Sequence, residues 1–346
     1  MIVSKFILVI QFVGAALLAQ AQFKTAYPDI PRIDVHSHIG DKNQSLSNYL
    51  ELRELLFIET GIDLAMWINL GTRAKPVVDI TKVNSLSEGR VLSSIADYSA
   101  HNGLEINPDS LKYFLDLGYT GYKIWSGPWY RALENKEDGF PYIDDKAHIN
   151  TFKMMEKIGM PGASIHVADP NGPWNERTAW LADPIEYWKE ITAWRNLLER
   201  HPDLIVVSAH GNWLMCQDAQ IDYLRNMLAT FPNLNIDLAA TFQYFRLVNT
   251  ENLRAFMIEW ADRILYGTDI SEWEGDQLTD KRKQQYIRTF QILETDNFVE
   301  GGFFDGLPIK GLKLPKEVLA KIYYQNALRI YPGLAQQYEN LGYQVE

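Results

Sequence analysis

Short apolar runs that alternate with helical patterns constrain the fold of this chain more than any other feature. Eight runs rich in β-branched and aromatic residues follow one another along the sequence. They are Arg32–His38, Leu64–Leu70, Val91–Asp97, Gly121–Ser126, Ala163–Asp169, Ile205–Gly211, Leu234–Ala240 and Ile264–Ser271. Nearly continuous apolar strands separated by helices are typical of a parallel sheet that is buried on both faces. The pattern therefore predicts the α/β class.

The strand count favours closure of the sheet into a (β/α)8 TIM barrel. Helical patterns lie between the strands and after the last one: Leu46–Thr60, Pro108–Leu117, Asp145–Ile158, Asp183–Arg200, Ala219–Thr230, Glu251–Trp260, Asp280–Leu293 and Lys316–Tyr331. A doubly wound open sheet is the alternative. That fold would be expected to carry a glycine-rich G-x-G-x-x-G turn after the first strand, and the sequence has none there.

The first 21 residues have the organisation of a secretory signal peptide. Lys5 precedes an apolar run over residues 6–18, and residues 19–21 read Ala-Gln-Ala, a small-x-small cleavage site. We therefore expect residues 1–21 to be removed and residues 22–346 to form a single barrel domain. The protein is then exported, to the periplasm or the medium, with no membrane anchor after cleavage.

Charge and cysteine content exclude several classes of function. The formal net charge is −11, and the sequence has no long cluster of Lys and Arg, so nucleic acid is a poor partner. The single cysteine, Cys216, excludes an intramolecular disulfide and a thiolate metal site. Any metal must therefore be held by His, Asp, Glu or a modified Lys. A small molecule is the expected ligand, and whether the chain forms a homo-oligomer stays open.

Histidines gather at the ends of the predicted strands, where a barrel places its active site. His36 and His38 are two residues apart on the first strand, so both imidazoles point to one side. His166 lies in the fifth strand, His210 ends the sixth and Asp269 ends the eighth. Each residue alone could be a satisfied core histidine or a helix cap. Together, at one edge of a parallel sheet, they predict a metal site.

The order of these residues resembles the amidohydrolase superfamily of metal-dependent (β/α)8 enzymes. The segments Asp-Val-His-Ser-His-Ile-Gly, Ser-Ala-His-Gly-Asn, Tyr-Gly-Thr-Asp and Asn-Ala-Leu-Arg-Ile-Tyr are similar to its amidohydrolase 2 branch. That branch also contains the aminocarboxymuconate semialdehyde decarboxylases. The resemblance extends over roughly residues 32 to 332. It identifies a superfamily and leaves the substrate open.

The resemblance implies a role for each strand-end residue. His36, His38 and His166 would ligate a divalent ion, zinc or manganese, and Asp269 would be a further ligand or the general base. His210 would polarise water or substrate. In binuclear relatives a lysine on the fourth strand is carboxylated and bridges two ions. Lys123 stands at that place, and without carboxylation it would contact substrate or pair with a carboxylate. One ion is the expectation, and two if Lys123 is carboxylated.

Aromatic residues just past the strand ends are candidates for the substrate pocket, as are two arginines in the same loops. Flat apolar ligands or sugars suit tryptophan faces, and a guanidinium suits a carboxylate. The candidates are Trp125, Trp129, Trp174, Trp213, Trp273, Arg73 and Arg131. Several of these side chains could instead belong to the core or the solvated surface.

Three functions fit this sequence. The first is an exported hydrolase that cleaves an ester, lactone or amide bond of a small molecule with metal-activated water. The second is a metal-dependent, non-oxidative decarboxylase of a small aromatic or unsaturated carboxylic acid. The third is a non-catalytic binding protein on a barrel scaffold, which the intact set of potential ligands disfavours. Export favours the hydrolase, because water is its only co-substrate.

Overall fold

Parallel strands form the centre of the structure, a computed structural model that describes residues 23–127, 141–169, 184–272, 277–300 and 307–345. The segment interpreted as a signal peptide lies outside these ranges. So do four candidate pocket residues: Trp129, Arg131, Trp174 and Trp273. In the described ranges, no helix combines the length and the hydropathy that crossing a bilayer requires.

Each of the eight predicted runs contains a strand, so the predicted order is confirmed. The strands are β1 Arg32–His38, β2 Leu64–Asn69, β3 Val91–Ser93, β4 Ile95–Asp97, β5 Tyr122–Ile124, β6 Gly162–Ile165, β7 Val206–Ser208, β8 Leu234–Asp237, β9 Ile264–Leu265, β10 Ile270–Ser271, β11 Phe298–Val299 and β12 Ile309–Lys310. One parallel sheet has the order β10-β1-β2-β3 and the other β4-β5-β6-β7-β8-β9. The antiparallel pair β11-β12 was not expected from the sequence.

Two of the predicted strands are interrupted, and the two sheets meet at these interruptions. The run 91–97 breaks at Ser94, so that β3 pairs with β2 and β4 pairs with β5. The run 264–271 breaks between β9 and β10, which pair with β8 and β1 respectively. Within the second break, the Val35 amide donates to the Tyr266 carbonyl at 3.0 Å. The eight positions therefore follow the order of a TIM barrel, although its hydrogen-bonded ladder is not continuous.

Helices follow most strands and cover the sheets. They are α1 Asn43–Thr60, α2 Ile80–Leu86, α3 Leu111–Leu117, α4 Ile149–Ile158, α5 Pro184–Arg200, α6 Asp218–Thr230, α7 Thr250–Glu259, α8 Gln277–Glu294, α9 Lys316–Ala320, α10 Asn326–Ile330 and α11 Leu334–Asn340. Left-handed glycines end three of them at Gly61, Gly118 and Gly159, as the sequence indicated. The short helices α2 and α11 were missed.

The predicted helix Lys316–Tyr331 contains a wider turn at its middle. Residues Lys321–Gln325 form a π-helical turn between α9 and α10. The Ile322 carbonyl accepts a hydrogen bond of 2.9 Å from the amide of Tyr266, in the break between β9 and β10. A π turn redirects carbonyls away from the regular helical ladder. The terminal helical segment thus supplies a hydrogen-bond partner that the interrupted strand lacks.

A buried ion pair ties β1 to the end of α8. The Arg32 guanidinium lies 2.8 Å from Glu294 Oε1, and the two side chains are 0% and 1% exposed. Glu294 also accepts hydrogen bonds from Thr25 and Tyr323. The Arg32 guanidinium carbon lies 5.1 Å from the centre of the Tyr323 ring. These hydrogen bonds and the ring contact offset part of the desolvation cost of burying the two charges.

We expect Glu294→Leu to destabilise the protein by about 3–5 kcal/mol, because Arg32 is then buried without a counter-charge. The double variant Arg32→Met/Glu294→Leu should recover most of this loss in urea unfolding. The exposed pair Asp29–Lys316 provides the control, and Asp29→Asn should change stability by less than about 1 kcal/mol. Equal losses in the single and double variants would contradict the assignment of the cost to an unpaired charge.

Candidate metal centre

A cavity of about 640 Å³ opens at the carboxyl ends of the parallel strands. His36 and His38 enter it from the end of β1, His166 follows β6, and His210 follows β7. Asp269 enters it from the break before β10. The strand ends therefore bring together all five residues that the sequence analysis assigned to the metal and its chemistry.

Left-handed backbone conformations aim several of these side chains. Ser164, His210 and Asp269 have φ values of 57°, 58° and 65°, a region that non-glycine residues rarely adopt. At Asp269 this turn interrupts the eighth strand, and its amide donates to the His36 carbonyl at 2.7 Å. Beside it, a Cβ on Gly267 would lie only 2.8 Å from the Cβ of His36. Backbone strain of this kind is common where a site dictates side-chain direction.

Asp237, at the end of β8, holds His36 in place. Its Oδ2 accepts a hydrogen bond of 2.9 Å from His36 Nδ1 and one of 2.6 Å from the Ser164 hydroxyl. Its Oδ1 accepts the amide of His210 at 2.9 Å. This carboxylate therefore puts the ring proton of His36 on Nδ1 and leaves Nε2 as a lone pair. Such carboxylate–histidine pairs are the usual outer support of metal-ligating histidines.

The other three histidines are also tied at their outer nitrogen to an acceptor. His38 Nδ1 lies 2.9 Å from the Gly71 carbonyl, and His210 Nδ1 lies 2.8 Å from the Ala239 carbonyl. His166 Nε2 lies 3.0 Å from Asp169 Oδ1. Since carbonyls and carboxylates only accept, each of these nitrogens carries the ring proton.

The remaining ring nitrogens point inward, towards one another and towards Asp269. His36 Nε2 and His38 Nε2 lie 3.3 Å and 3.1 Å from Asp269 Oδ1. His166 Nδ1 lies 3.1 Å from His210 Nε2, so two lone pairs face each other, an arrangement that requires a shared proton or a cation. The ligand atoms of His36, His210 and Asp269 all lie within 4.8 Å of one another. Imidazole nitrogens with one carboxylate are a donor set that zinc accepts, so this group could hold a divalent ion.

The pKa shifts favour neutral imidazoles at three of the four histidines and an ionised carboxylate. Burial lowers the pKa of His38, His166 and His210 below their usual value. At His36 burial also opposes the charged form, but the carboxylates of Asp237 and Asp269 outweigh it and raise the pKa above its usual value. Burial opposes ionisation of Asp269 too, but the neighbouring His36 and His38 outweigh it and hold the pKa of this carboxyl well below its usual range. Metal ligands must be deprotonated, so an ion would have to displace a proton from His36.

Lys123, from β5, is the only lysine that lines the described part of the cavity. Its Nζ lies 3.5 Å from His36 Nε2, and the side chain is buried. Burial lowers the pKa of Lys123 to about 8, although Asp269 and Asp237 favour the charged form. A substantial neutral fraction at mildly alkaline pH is what carboxylation of this amine would need. The number of bound ions remains a prediction.

Of the described pocket candidates, Trp125, Trp213 and Arg73 all line the cavity. Trp213 is nearly buried, and its ring stacks on His210 with 4.4 Å between ring centres. Trp213 therefore holds the ring of His210 in place and offers little surface to a ligand. Trp125 is half-buried with its ring 5.1 Å from that of His166, and Arg73 is exposed. Both of these side chains line the cavity.

The sequence analysis missed four residues of this site: Ser164, Asp169, Asp237 and Tyr98. Asp237 and Asp169 could have been found, because each ends or follows a predicted strand at the same edge as the histidines. Ser164 carried no signal, since its position depends on a left-handed turn within β6. The hydroxyl of Tyr98 lies 3.1 Å from His38 Nδ1, a contact that only the fold creates.

Convergent imidazoles and a carboxylate at the strand ends of a parallel α/β barrel form a group that could hold a metal ion. The model of the amidohydrolase family, branch 2, matches residues 142–333, which is more than half of the chain. The protein belongs to this family, and its fold is that of a TIM barrel. No match was found among curated proteins.

Solved structures with a similar fold cover most of the chain at low identity. An uncharacterized TIM-barrel protein from Bordetella bronchiseptica is 16% identical, with a TM-score of 0.55, over 90% of this chain and 100% of that one. A 4-oxalomesaconate hydratase from Rhodopseudomonas palustris is 14% identical, with a TM-score of 0.49, over 90% and 98%. A 5-carboxyvanillate decarboxylase from Sphingomonas paucimobilis is 13% identical, with a TM-score of 0.44, over 81% and 82%. At these identities the likeness is one of fold.

We expect Asp237→Asn to weaken zinc binding by about 10- to 100-fold, because His36 loses the carboxylate that orients its ring. Competition with a fluorescent chelator measures the change. Asp97→Asn is the matched control, since this buried strand-end carboxylate accepts the amides of Ser99 and Glu105 and is not among the described residues that line the cavity. Unchanged affinity in Asp237→Asn would contradict the proposed support of His36.

Replacing Lys123 should stabilise the metal-free protein at neutral pH. Below pH 8 the amine is protonated in both folded and unfolded chains, so the cost of burying its charge applies in full. Between about pH 8 and about pH 10.5, the unfolded chain binds more protons than the folded chain. The cost of burying the charge therefore falls, and the wild-type protein becomes more stable as the pH rises. Lys123→Met should therefore be more stable by about 2–4 kcal/mol at pH 7, and this advantage should shrink toward pH 10.5.

Urea unfolding of both proteins in chelator at several pH values measures the difference between them. Lys281→Met removes an exposed lysine and should show no such dependence. If the stability advantage of Lys123→Met stayed constant from pH 7 to 10.5, burial would not shift the pKa of this amine.

Proposed function

We propose that the protein is an exported, metal-dependent hydrolase that cleaves an ester, lactone or amide bond of a small molecule. The observation that carries the proposal is the group of His36, His210 and Asp269, whose potential ligand atoms lie within 4.8 Å of one another. Membership of the amidohydrolase family supports it. The N-terminal segment with signal-peptide features supports export, and hydrolysis needs no co-substrate that is absent outside the cell.

His36, His38, His166 and Asp269 would hold one divalent ion, zinc or manganese. When bound, such an ion supplies Lewis acidity and lowers the pKa of a coordinated water toward about 7. The protein contributes the orientation of the ligands. Each imidazole is held by a hydrogen bond at its outer nitrogen, so little reorganisation is required when the site is filled.

Asp269 is suited to move the proton of the attacking water. Its carboxyl is ionised, because the adjacent histidines lower its pKa, and its side chain is 34% exposed toward the cavity. An exposed, ionised carboxylate beside a water can take a proton and pass it to the leaving oxygen or nitrogen.

His210 offers a second proton-transfer group. Its Nδ1 donates to the Ala239 carbonyl, so its Nε2 carries a lone pair that faces His166 Nδ1 at 3.1 Å and could accept a proton once His166 is turned to an ion. Once protonated, the same nitrogen can donate a hydrogen bond to negative charge that develops on the substrate. Stacking against Trp213 fixes the plane of the ring and hence the direction of this nitrogen.

Aromatic side chains near the histidines favour a substrate with a flat apolar portion. Trp125 packs edge-on against Tyr98, and Phe242 and Tyr244 line the same cavity. A cavity of about 640 Å³ accommodates a ligand of ordinary metabolite size. Decarboxylation is the competing reaction, since the same donor set could bind a carboxylate beside a hydroxyl or keto group.

A panel of lactones, esters, amides and hydroxybenzoate-like acids, assayed with zinc- or manganese-loaded protein, tests the reaction class. We expect the protein to cleave a C–O or C–N bond in at least one of these compounds. The activity should be lost in chelator and should return when either metal is added. Asp269→Asn should lower kcat by about 10²- to 10⁴-fold, because it removes the proton acceptor. Metal content must be measured in each variant, so that loss of catalysis is separated from loss of the ion.

Asp262→Asn serves as the control, because Asp262 is exposed and pairs with Lys321. Full activity in metal-containing Asp269→Asn would refute the general-base role. Release of carbon dioxide from an aromatic acid, without hydrolysis of any panel member, would assign the lyase instead. Protein that binds neither metal would contradict both enzymes.

A further inference from the structure

Ser164 of β6 lies next to the metal centre and has no part in the chemistry proposed above. Its side chain is fully buried. The hydroxyl oxygen lies 2.7 Å from His36 Nδ1 and 2.6 Å from Asp237 Oδ2, and these two atoms lie 2.9 Å from each other. The three polar atoms therefore form a closed triangle in which every side is a hydrogen-bond distance.

The carboxylate decides the direction of these hydrogen bonds. A carboxylate only accepts, so the Ser164 hydroxyl donates its proton to Asp237, and the lone pairs of its oxygen face the His36 ring. His36 Nδ1 then donates to both oxygens in a three-centre hydrogen bond. The imidazole cannot rotate about its χ2 bond without breaking both contacts.

The backbone of β6 is irregular at the point that presents this hydroxyl. Ser164 has a φ of 57°, and the pairing of β6 with β7 shifts its register between Gly162 and Ile165. A residue other than glycine is strained in this conformation. Glycine would adopt it without strain, and what serine adds at this position is the hydroxyl.

Asp237 extends the effect of Ser164 to a second histidine. Its other oxygen, Oδ1, accepts the amide of His210 at 2.9 Å and the amide of Ala239 at 3.1 Å. Because the hydrogen bond from Ser164 restricts rotation of the carboxylate, it supports these contacts as well as the contact with His36. One hydroxyl thus connects β6 with the strands that carry His36 and Asp237.

We propose that Ser164 is a positioning residue of the metal centre. Its hydroxyl accepts the Nδ1 proton of His36, donates to Asp237 and so directs His36 Nε2 into the cavity. The inference rests on the proposed function, because it takes His36 to be a metal ligand. Ser164 acts through His36 and Asp237 and does not contact the substrate.

Zinc affinity, measured by competition with a fluorescent chelator, tests this role in a pair of variants. Ser164→Ala and Ser164→Gly both remove the hydroxyl, but only glycine also relieves the backbone. We expect both variants to bind zinc about 10-fold more weakly than the wild type, since His36 loses one of the partners at its outer nitrogen. Wild-type affinity in either variant would overturn the proposal.

Ser208→Ala is the matched control for these variants. Ser208 lies on the neighbouring strand β7, opposite Ile165, and is also fully buried. Within the described part of the chain its hydroxyl has no hydrogen-bond partner. This variant should therefore bind zinc as the wild type does.

A double-mutant cycle with Asp237→Asn tests whether Ser164 acts through the carboxylate. The double variant Ser164→Ala/Asp237→Asn should bind zinc no more than about threefold more weakly than Asp237→Asn alone, because both changes disrupt one network. If the two losses in affinity multiplied instead, the residues would contribute independently, and the proposed route through Asp237 would be wrong.

The ring proton of His36 supplies a readout that needs no metal. In zinc-free protein with isotope-labelled histidine, nuclear magnetic resonance detects the Nδ1 proton of His36, which His36→Gln identifies by its absence. We expect this resonance to shift in Ser164→Ala and in Ser164→Gly and to stay in place in Ser208→Ala. An unshifted resonance in the Ser164 variants would overturn the proposal. A wild type that bound no zinc would contradict the proposed function, and the resonance would still decide the role of Ser164.

Discussion

The site depends on one constraint: each of the four histidines that enter the described cavity is held at its outer nitrogen by a carboxylate or carbonyl acceptor. Asp237 of β8 holds His36, and the carbonyls of Gly71 and Ala239 hold His38 and His210. Asp169, three residues along the chain, holds His166. These acceptors place protons on the outside of the cluster and turn the other nitrogen of each ring inward. The acceptors lie outside the cluster, yet they decide what its inner atoms could bind.

Asp34 shows how the barrel keeps the ligands in register. It accepts the amide of His36 at 3.0 Å and the hydroxyl of Thr268 at 2.5 Å, so that one carboxylate spans the first strand and the broken eighth. The Tyr286 hydroxyl, from α8, donates to the same carboxylate at 2.6 Å. Burial raises the pKa of Asp34 to about 6 despite these donors. The carboxylate therefore couples the two strands next to His36 and Asp269 to helix α8.

Much of this architecture was accessible from the sequence because burial imposes a repetitive pattern. Eight apolar runs marked the strand positions, and parallel direction alone put His36, His166 and Asp269 at one edge. What remained hidden depends on local backbone geometry. The break that carries Asp269 and the left-handed turn that aims Ser164 leave no periodic trace. The strand pair β11-β12 was missed because its two-residue strands are too short to show alternation.

The π turn over Lys321–Gln325 has a consequence for how this chain can change in length. A π turn accommodates one more residue than the regular helix around it, and here the Ile322 carbonyl is hydrogen-bonded to Tyr266 at the break in the eighth strand. Removing a single residue from this turn would restore a regular helix and withdraw that carbonyl. Three residues after Tyr266 comes Asp269. A deletion in the terminal helical segment, far along the chain from the first histidine, would therefore alter the cavity. A deletion of the same length in a surface loop would not.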